Sequence, residues 1–326
     1  MLAADGGYAL TMGRLGGIDL GGTKIQAVVT DEDYQVVGDA RGPTPTTGGP
    51  QDVIAAMVAT MREAAGDDHL SAVGVGSPGA IDEAAGTVSS ARNLPGWEGT
   101  YPMRDALQEE LGVPVALGND VTVATQAEFH LGAASEFDSL LGVFWGTGVG
   151  GGLVLDGRTW TGRGAAGEIG HVVVEIGGAR CPCGRRGCME AYAGRGAMEA
   201  RARKLADEGR KTVLFDLMKQ RGRPRLTSGI WKRALDRDDD LAHELVDRAV
   251  RALGAGVASA VNVLDVEAVV IGGGLGLKLG EPYAERIREA MQPHLFVSDH
   301  PPAIRLAALG DLGGAQGAAL LAGSAG

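Results

Sequence analysis

His171, Cys181, Cys183 and Cys188 have the types and spacing to hold a metal. The pattern H-x9-C-x-C-x4-C offers one imidazole and three thiolates, a donor set that suits tetrahedral zinc in a closed, structural coordination sphere. Gly184 and Gly187 allow the tight backbone turn that wrapping an ion requires. The plainer reading is a buried histidine near unpaired thiols or a redox pair. The three cysteines, an odd number confined to 181–188, argue against a disulfide framework and for a reducing compartment. Glu168 precedes His171 by three residues and Glu190 follows Cys188 by two. An ion pinning this loop would also fix both carboxylates, and paired carboxylates accept hydrogen bonds from sugar hydroxyls. Read singly, either glutamate is a solvated surface residue.

Two glycine-threonine turns form a second constellation. Asp19, Gly21, Gly22, Thr23 and Lys24 lie in DLGGTK, and Thr147 and Gly148 lie in GTGVGGG. Neither contains the G-x-x-x-x-G-K-[ST] of a P-loop. Gly146, Gly148 and Gly151 satisfy G-x-G-x-x-G, but the following LVLDG continues as a strand, whereas a dinucleotide fingerprint needs a helix start beneath the pyrophosphate. Either these are ordinary tight hairpins, or their backbone N–H groups and threonine hydroxyls cradle a polyphosphate from two sides. In the second case a hydroxyl nucleophile needs a base. Asp120 is the candidate, since phosphoryl transfer to an alcohol requires a proton acceptor and otherwise depends on positioning and charge neutralisation. An isolated Asn119-Asp120 pair is otherwise a helix cap.

The elements that must position these residues follow from periodicity. LGGIDL and IQAVVT flank the first turn, and LLGVFW and LVLDG flank the second about 125 residues later, so the chain reads as an internal duplication with two similar α/β lobes facing one another. QDVIAAMVATMREAAG places Val53, Met57 and Met61 on one helical face, and a second helix fits 103–111. The strand VPVAL stops at Gly118, so Asn119 and Asp120 sit where a strand end meets a helix. The chain from 198 to 264 is mostly helical. Its basic run KQRGRPR, at 219–225, is interleaved with acids nearby and reads as a solvated surface or a contact for an anion. The strand VEAVVI leads into Gly272, Gly273 and Gly274, and a small-residue helix closes the chain from Gly314.

Composition narrows the function classes. With 326 residues, two domains are expected. A net charge of -11 gives no general reason to bind nucleic acid or an anionic membrane, and no apolar run suggests a membrane helix. A cytoplasmic protein with a small soluble ligand is expected. The expected organisation is an N-terminal lobe over 12–120, a C-terminal lobe over 121–311, and a closing helix over 312–326 that packs back on the first lobe. Residues 1–11 read as a disordered extension or start-site artefact, since Met12 precedes the first convincing strand.

DLGGTK, GTGVGGG, GEIGH at 167–171 and CPCGRRGCME at 181–190 resemble the ROK family of bacterial sugar kinases and regulators. The resemblance covers nearly the whole chain after Met12. It implies an actin-like, hexokinase-type fold of two duplicated lobes around a central cleft, ATP with Mg2+ as donor, one structural Zn2+ per chain, and a homodimer or larger homo-oligomer. It makes Asp120 the catalytic base, with Asn119, Asp120, Glu168, His171 and Glu190 holding the sugar. The turns and Gly272 to Gly274 would lie near the nucleotide. NLPGW at 93–97 and the cysteine loop look most like the family's glucokinase branch, which implies glucose phosphorylation at the 6-hydroxyl. The alternatives are another hexose or N-acetylhexosamine (mannose, fructose, N-acetylglucosamine or N-acetylmannosamine) or a non-catalytic sugar sensor. The sequence departs from the family's usual NDANAAA, reading NDVTVAT, with Thr122 in place of a familiar asparagine. Family regulators carry a winged-helix domain ahead of the first turn, for which the 18 residues before Asp19 are too few.

Overall fold

The computed structural model describes residues 13–91 and 94–324. The extension expected over 1–11, and Asn93 of NLPGW, lie outside the described residues. The chain divides into two compact units, one ending at Ala124 and resuming at Gly314, the other Thr125–Gly313.

The first unit opens with strands β1 (Arg14–Leu20), β2 (Lys24–Thr30) and β3 (Val36–Pro43), then helix α1 (Pro50–Ala65) and strand β4 (Leu70–Ser77). Ile18, Leu20, Ile25, Ala27 and Val29 are fully buried, as expected for a sheet centre covered on both faces. Val53, Met57 and Met61 are the buried stripe of α1, so the helical periodicity in the sequence is the packing face. Short strands β5 (Ala80–Asp82), β6 (Thr87–Ser89) and β7 (Thr100–Tyr101) form a separate antiparallel sheet. Helix α2 (Met103–Leu111) stops at Gly112, whose φ of 72° is left-handed. Strand β8 (Val115–Asn119) runs parallel to β4, pairing Ser77 with Asn119, and helix α3 (Asp120–His130) follows at once. The main sheet has the order β3-β2-β1-β4-β8.

The second unit repeats the plan. Strands β9 (Leu140–Trp145), β10 (Val149–Leu155), β11 (Arg158–Thr159), β12 (Ala268–Gly272) and β13 (Ala303–Leu306) form a sheet of order β11-β10-β9-β12-β13. In both sheets the first strand pairs antiparallel with the second and parallel with the fourth. This is the duplicated, actin-like α/β architecture expected from the sequence. Between β11 and β12 come helices α4 (Glu190–Ala193), α5 (Arg195–Asp207), α6 (Leu214–Gln220), α7 (Ser228–Leu235) and α8 (Asp240–Leu264). Asp239 caps α8 by accepting from the Ala242 N–H at 2.8 Å, and the helix buries Leu245, Ala249, Leu253 and Val257 in a core that includes Trp145 and Trp231. Helices α9 (Gly273–Leu279) and α10 (Glu281–Met291) lie between β12 and β13 in sequence.

Helix α11 (Gly313–Ser324) ends the described chain on the first sheet. Its small residues are a packing requirement: a Cβ on Gly17 would lie 2.0 Å from the Ala315 carbonyl, and one on Gly74 would lie 1.8 Å from that of Ala318. Among the described residues no helix is long and apolar enough to cross a membrane.

Candidate functional site

In the second unit, His171, Cys181, Cys183 and Cys188 converge, with one ligand atom from each lying within 4.8 Å of all the others. The Cys183 and Cys188 sulfurs are 3.8 Å apart and Cys181 Sγ is 3.9 Å from His171 Nδ1. Zinc with Zn–S bonds of about 2.3 Å sets tetrahedral sulfurs about 3.8 Å apart, so the four groups fit that ion. Tight turns bring the four groups together. Cys181 N–H donates to the Arg185 carbonyl and Gly184 N–H to that of Cys181. Gly184 and Gly187 take φ of 93° and 83°, where a side chain strains the backbone, and a Cβ on Gly187 would strike the Glu175 carbonyl at 1.9 Å. Burial pushes the Cys181 thiol up to about 12 and raises Cys188, whereas the Arg185 backbone N–H lowers Cys183. A dication reverses the burial effect by placing positive charge on the sulfurs.

His171 presents Nδ1 to the sulfurs and Nε2 to Glu168, whose Oε2 is 3.9 Å away. Ligation through Nδ1 leaves the proton on Nε2, directed toward the exposed Glu168 carboxylate. Glu190 opens α4 and is braced from two sides. Its Oε2 accepts from the Val149 N–H at 2.9 Å, and its Oε1 is 3.8 Å from Cys181 Sγ. Glu190 therefore joins the cysteine loop to the second glycine turn. A Cβ on Gly148 would sit 2.3 Å from Glu190 Oε2, so a side chain there would displace the carboxylate.

That turn is closed by Gly146 N–H donating to the Gly148 carbonyl, and its carbonyls accept from α5: Arg195 N–H to Gly146 at 3.1 Å and Gly196 N–H to Thr147 at 3.0 Å. Of the three glycines at the end of β12 and the start of α9, Gly272 and Gly273 owe their type to β9. Their Cβ atoms would lie 2.7 Å from the Phe144 ring and the Trp145 backbone. Of the three, Gly274 alone faces the turn: a Cβ on it would lie 3.8 Å from Ser228 Oγ, and its N lies 3.9 Å from where a Cβ on Gly146 would be. Arg195 and Ser228 were not among the sequence candidates. The guanidinium donates to Thr147 Oγ1 at 2.8 Å and to Ser228 Oγ at 3.0 Å.

In the first unit, Asn119 and Asp120 stand at the carboxyl ends of parallel strands, where open α/β sheets place chemistry. Asn119 Oδ1 accepts from the N–H groups of Val121 and Thr122 at 3.1 and 3.2 Å, so Asn119 is the helix cap. Asp120 Oδ1 also lies 2.9 Å from the Val121 N–H. The first turn is held by Gly21 N–H to the Lys24 carbonyl, and by Thr44, whose hydroxyl donates to the Gly21 carbonyl at 2.6 Å and whose N–H donates to that of Thr23. Thr23 is exposed and Gly22 and Lys24 are partly so. The Asp19 carboxylate lies against Gly314, at the start of α11.

The description "ROK family" fits residues 15–325. The chain belongs to the ROK family. Its relatives include a glucokinase of Thermotoga maritima, 35% identical over 87% of this chain and 89% of that one. An N-acetylmannosamine kinase of Escherichia coli O1:K1 / APEC is 31% identical over 86% and 90%. The crystal structure of a ROK family glucokinase from Streptomyces griseus, in complex with glucose and AMPPNP, is 30% identical over 96% of this chain and 100% of that one, with a TM-score of 0.83. The resemblance read from four short motifs thus extends over nearly the whole ROK chain.

Proposed function

We propose that this protein is an ATP-dependent hexose kinase that transfers the terminal phosphoryl group of ATP to the 6-hydroxyl of glucose. The observation that carries this reading is the Asn119-Asp120 junction. With Asn119 capping α3, the neighbouring carboxylate is not required for the cap and is suited to general-base work, in a chain whose relatives include glucokinases. Asp120 takes the proton as the sugar oxygen attacks the terminal phosphorus, the bond to the bridging oxygen breaks, and ADP leaves. Asn119, Glu168, His171 and Glu190 orient the sugar by accepting from or donating to its hydroxyls. Asp19, Gly21, Gly22, Thr23, Lys24, Thr147, Gly148 and the glycines 272–274 receive the phosphates. Mg2+ arriving with the nucleotide supplies charge neutralisation on those phosphates. His171, Cys181, Cys183 and Cys188 hold one zinc ion, whose contribution is to fix the loop bearing Glu190.

A second reading, phosphorylation of an N-acetylhexosamine, is favoured by the similarity to the N-acetylmannosamine kinase. Release of ADP from MgATP, measured across glucose, mannose, fructose, N-acetylglucosamine and N-acetylmannosamine, separates the readings. Glucose is expected to have the highest kcat/KM. A tenfold advantage for N-acetylmannosamine would move the assignment to the second reading, and no ADP above background with any sugar would end both.

A further inference from the structure

The second glycine turn has a cation that neither the sequence motifs nor the family likeness assigns. Arg195, the first residue of α5, is half-buried. Burial works against its charge, Arg225 lowers its pKa further, and the nearby Glu199 offsets only part of this. Glu199 is not its partner. That carboxylate is taken by Arg203 at 2.7 Å, Arg225 at 3.0 Å and the Leu226 N–H at 3.0 Å. The guanidinium instead hydrogen-bonds two neutral hydroxyls, Thr147 Oγ1 and Ser228 Oγ, leaving a positive charge in partial burial with no carboxylate paired to it among the described residues. Its own backbone N–H and that of Gly196 grip the turn carbonyls at 146 and 147, so the side chain leaves the backbone beside the turn. Thr147, Arg195, Ser228 and Gly274 thus form a small polar cluster of donors and one cation. Arginine offers five N–H donors in a planar fork that matches phosphate oxygens.

We propose that Arg195 is a donor-side binding residue that contacts the phosphate chain of the nucleotide at the Thr147 turn and helps neutralise the charge on the group being transferred. This rests on the kinase reading above. Within this unit it supplies the positive charge that phosphoryl transfer requires and that backbone N–H groups provide only in part, the more so because the Val149 N–H is already given to Glu190.

The test is titration of the whole protein with MgATP, ADP, AMP and adenosine in the absence of sugar, for wild type, Arg195→Met and Arg195→Lys. The Met variant is expected to weaken ATP and ADP binding at least tenfold while changing adenosine affinity less than twofold. The Lys variant should recover part of the loss, and glucose affinity and melting temperature should stay near wild type. In turnover, KM for ATP should rise with KM for glucose unchanged. Equal weakening of adenosine and ATP, or unchanged ATP affinity in Arg195→Met, would overturn the proposal. A wild type that binds no ATP would instead defeat the kinase reading. If the Met variant does not fold, modification of wild-type Arg195 by phenylglyoxal, located by mass spectrometry, decides the matter. Protection by pyrophosphate but not by adenosine supports the contact, and no protection by pyrophosphate refutes it.

Discussion

At the scale of single residues, Asp120 is set apart by its neighbour. Asn119 accepts from two helix N–H groups, so replacing Asp120 by asparagine leaves the cap in place while removing the carboxylate. Asp120→Asn should therefore lower kcat by about 100-fold or more, the range a lost general base removes, with glucose affinity within about threefold and a melting temperature close to wild type. Steady-state kinetics and isothermal titration on the same preparation check this, and wild-type turnover in the variant would take Asp120 out of the base role. The cluster of His171 with the three cysteines was legible because these residue types are rare and their spacing is short. The Asn119-Asp120 pair was legible as a strand-to-helix junction, but which of the two caps was not, since either side chain can. Arg195 carried no signal at all. One arginine among the chain's 30 Lys and Arg residues stands out only when tertiary packing places its guanidinium on Thr147, 48 positions away.

At the scale of elements, short apolar runs marked the strands and apolar stripes the helices, because a strand buried on both faces is apolar throughout and a helix buried on one face carries its period. The identical order of the two main sheets shows that the repeated strand-turn-strand pattern marked a whole folding unit. What periodicity did not reveal is how irregular segments are tied down, and Glu199 is an example. Its side chain is 4% exposed, and from α5 it holds Arg203, Arg225 and the backbone of Leu226, fixing the end of the basic run 219–225. Burial alone would raise its pKa, but the two guanidiniums and the N–H outweigh burial and hold the carboxyl below its ordinary 4.5. A depressed carboxylate contributes stability that is complete above the ordinary value and disappears as pH falls through the folded one. Wild-type melting temperature should consequently fall more steeply below about pH 4.5 than that of Glu199→Gln, which should itself be about 2 kcal/mol less stable at pH 7. Parallel pH-melting curves for the two proteins would refute the assignment.

At the scale of the whole molecule, the two units have separate hydrophobic cores. One is built around Ile18, Met57 and Val75 and the other around Trp145, Trp231 and Leu253. All four candidate zinc ligands belong to the second unit, and Cys188 and Met189 are fully buried, which joins the cysteine loop directly to that core. Structural zinc binding is folding free energy, and in a unit of this size each 1 kcal/mol moves the melting point by about 2–4 °C. Differential scanning calorimetry should accordingly resolve two components. Chelation, or Cys183→Ser, should lower one of them by about 10 °C or more while leaving the other within about 2 °C, with bound zinc falling from about one ion per chain toward none. Activity should follow the metal through a raised KM for the sugar, because the loop positioning Glu190 and His171 loosens while Asp120, on the other unit, keeps its place. A single transition that shifts as a whole would mean the two cores unfold together and that zinc stabilises the entire chain. A melting profile indifferent to chelation, in protein shown by elemental analysis to contain no zinc, would reduce the cysteine cluster to buried thiols.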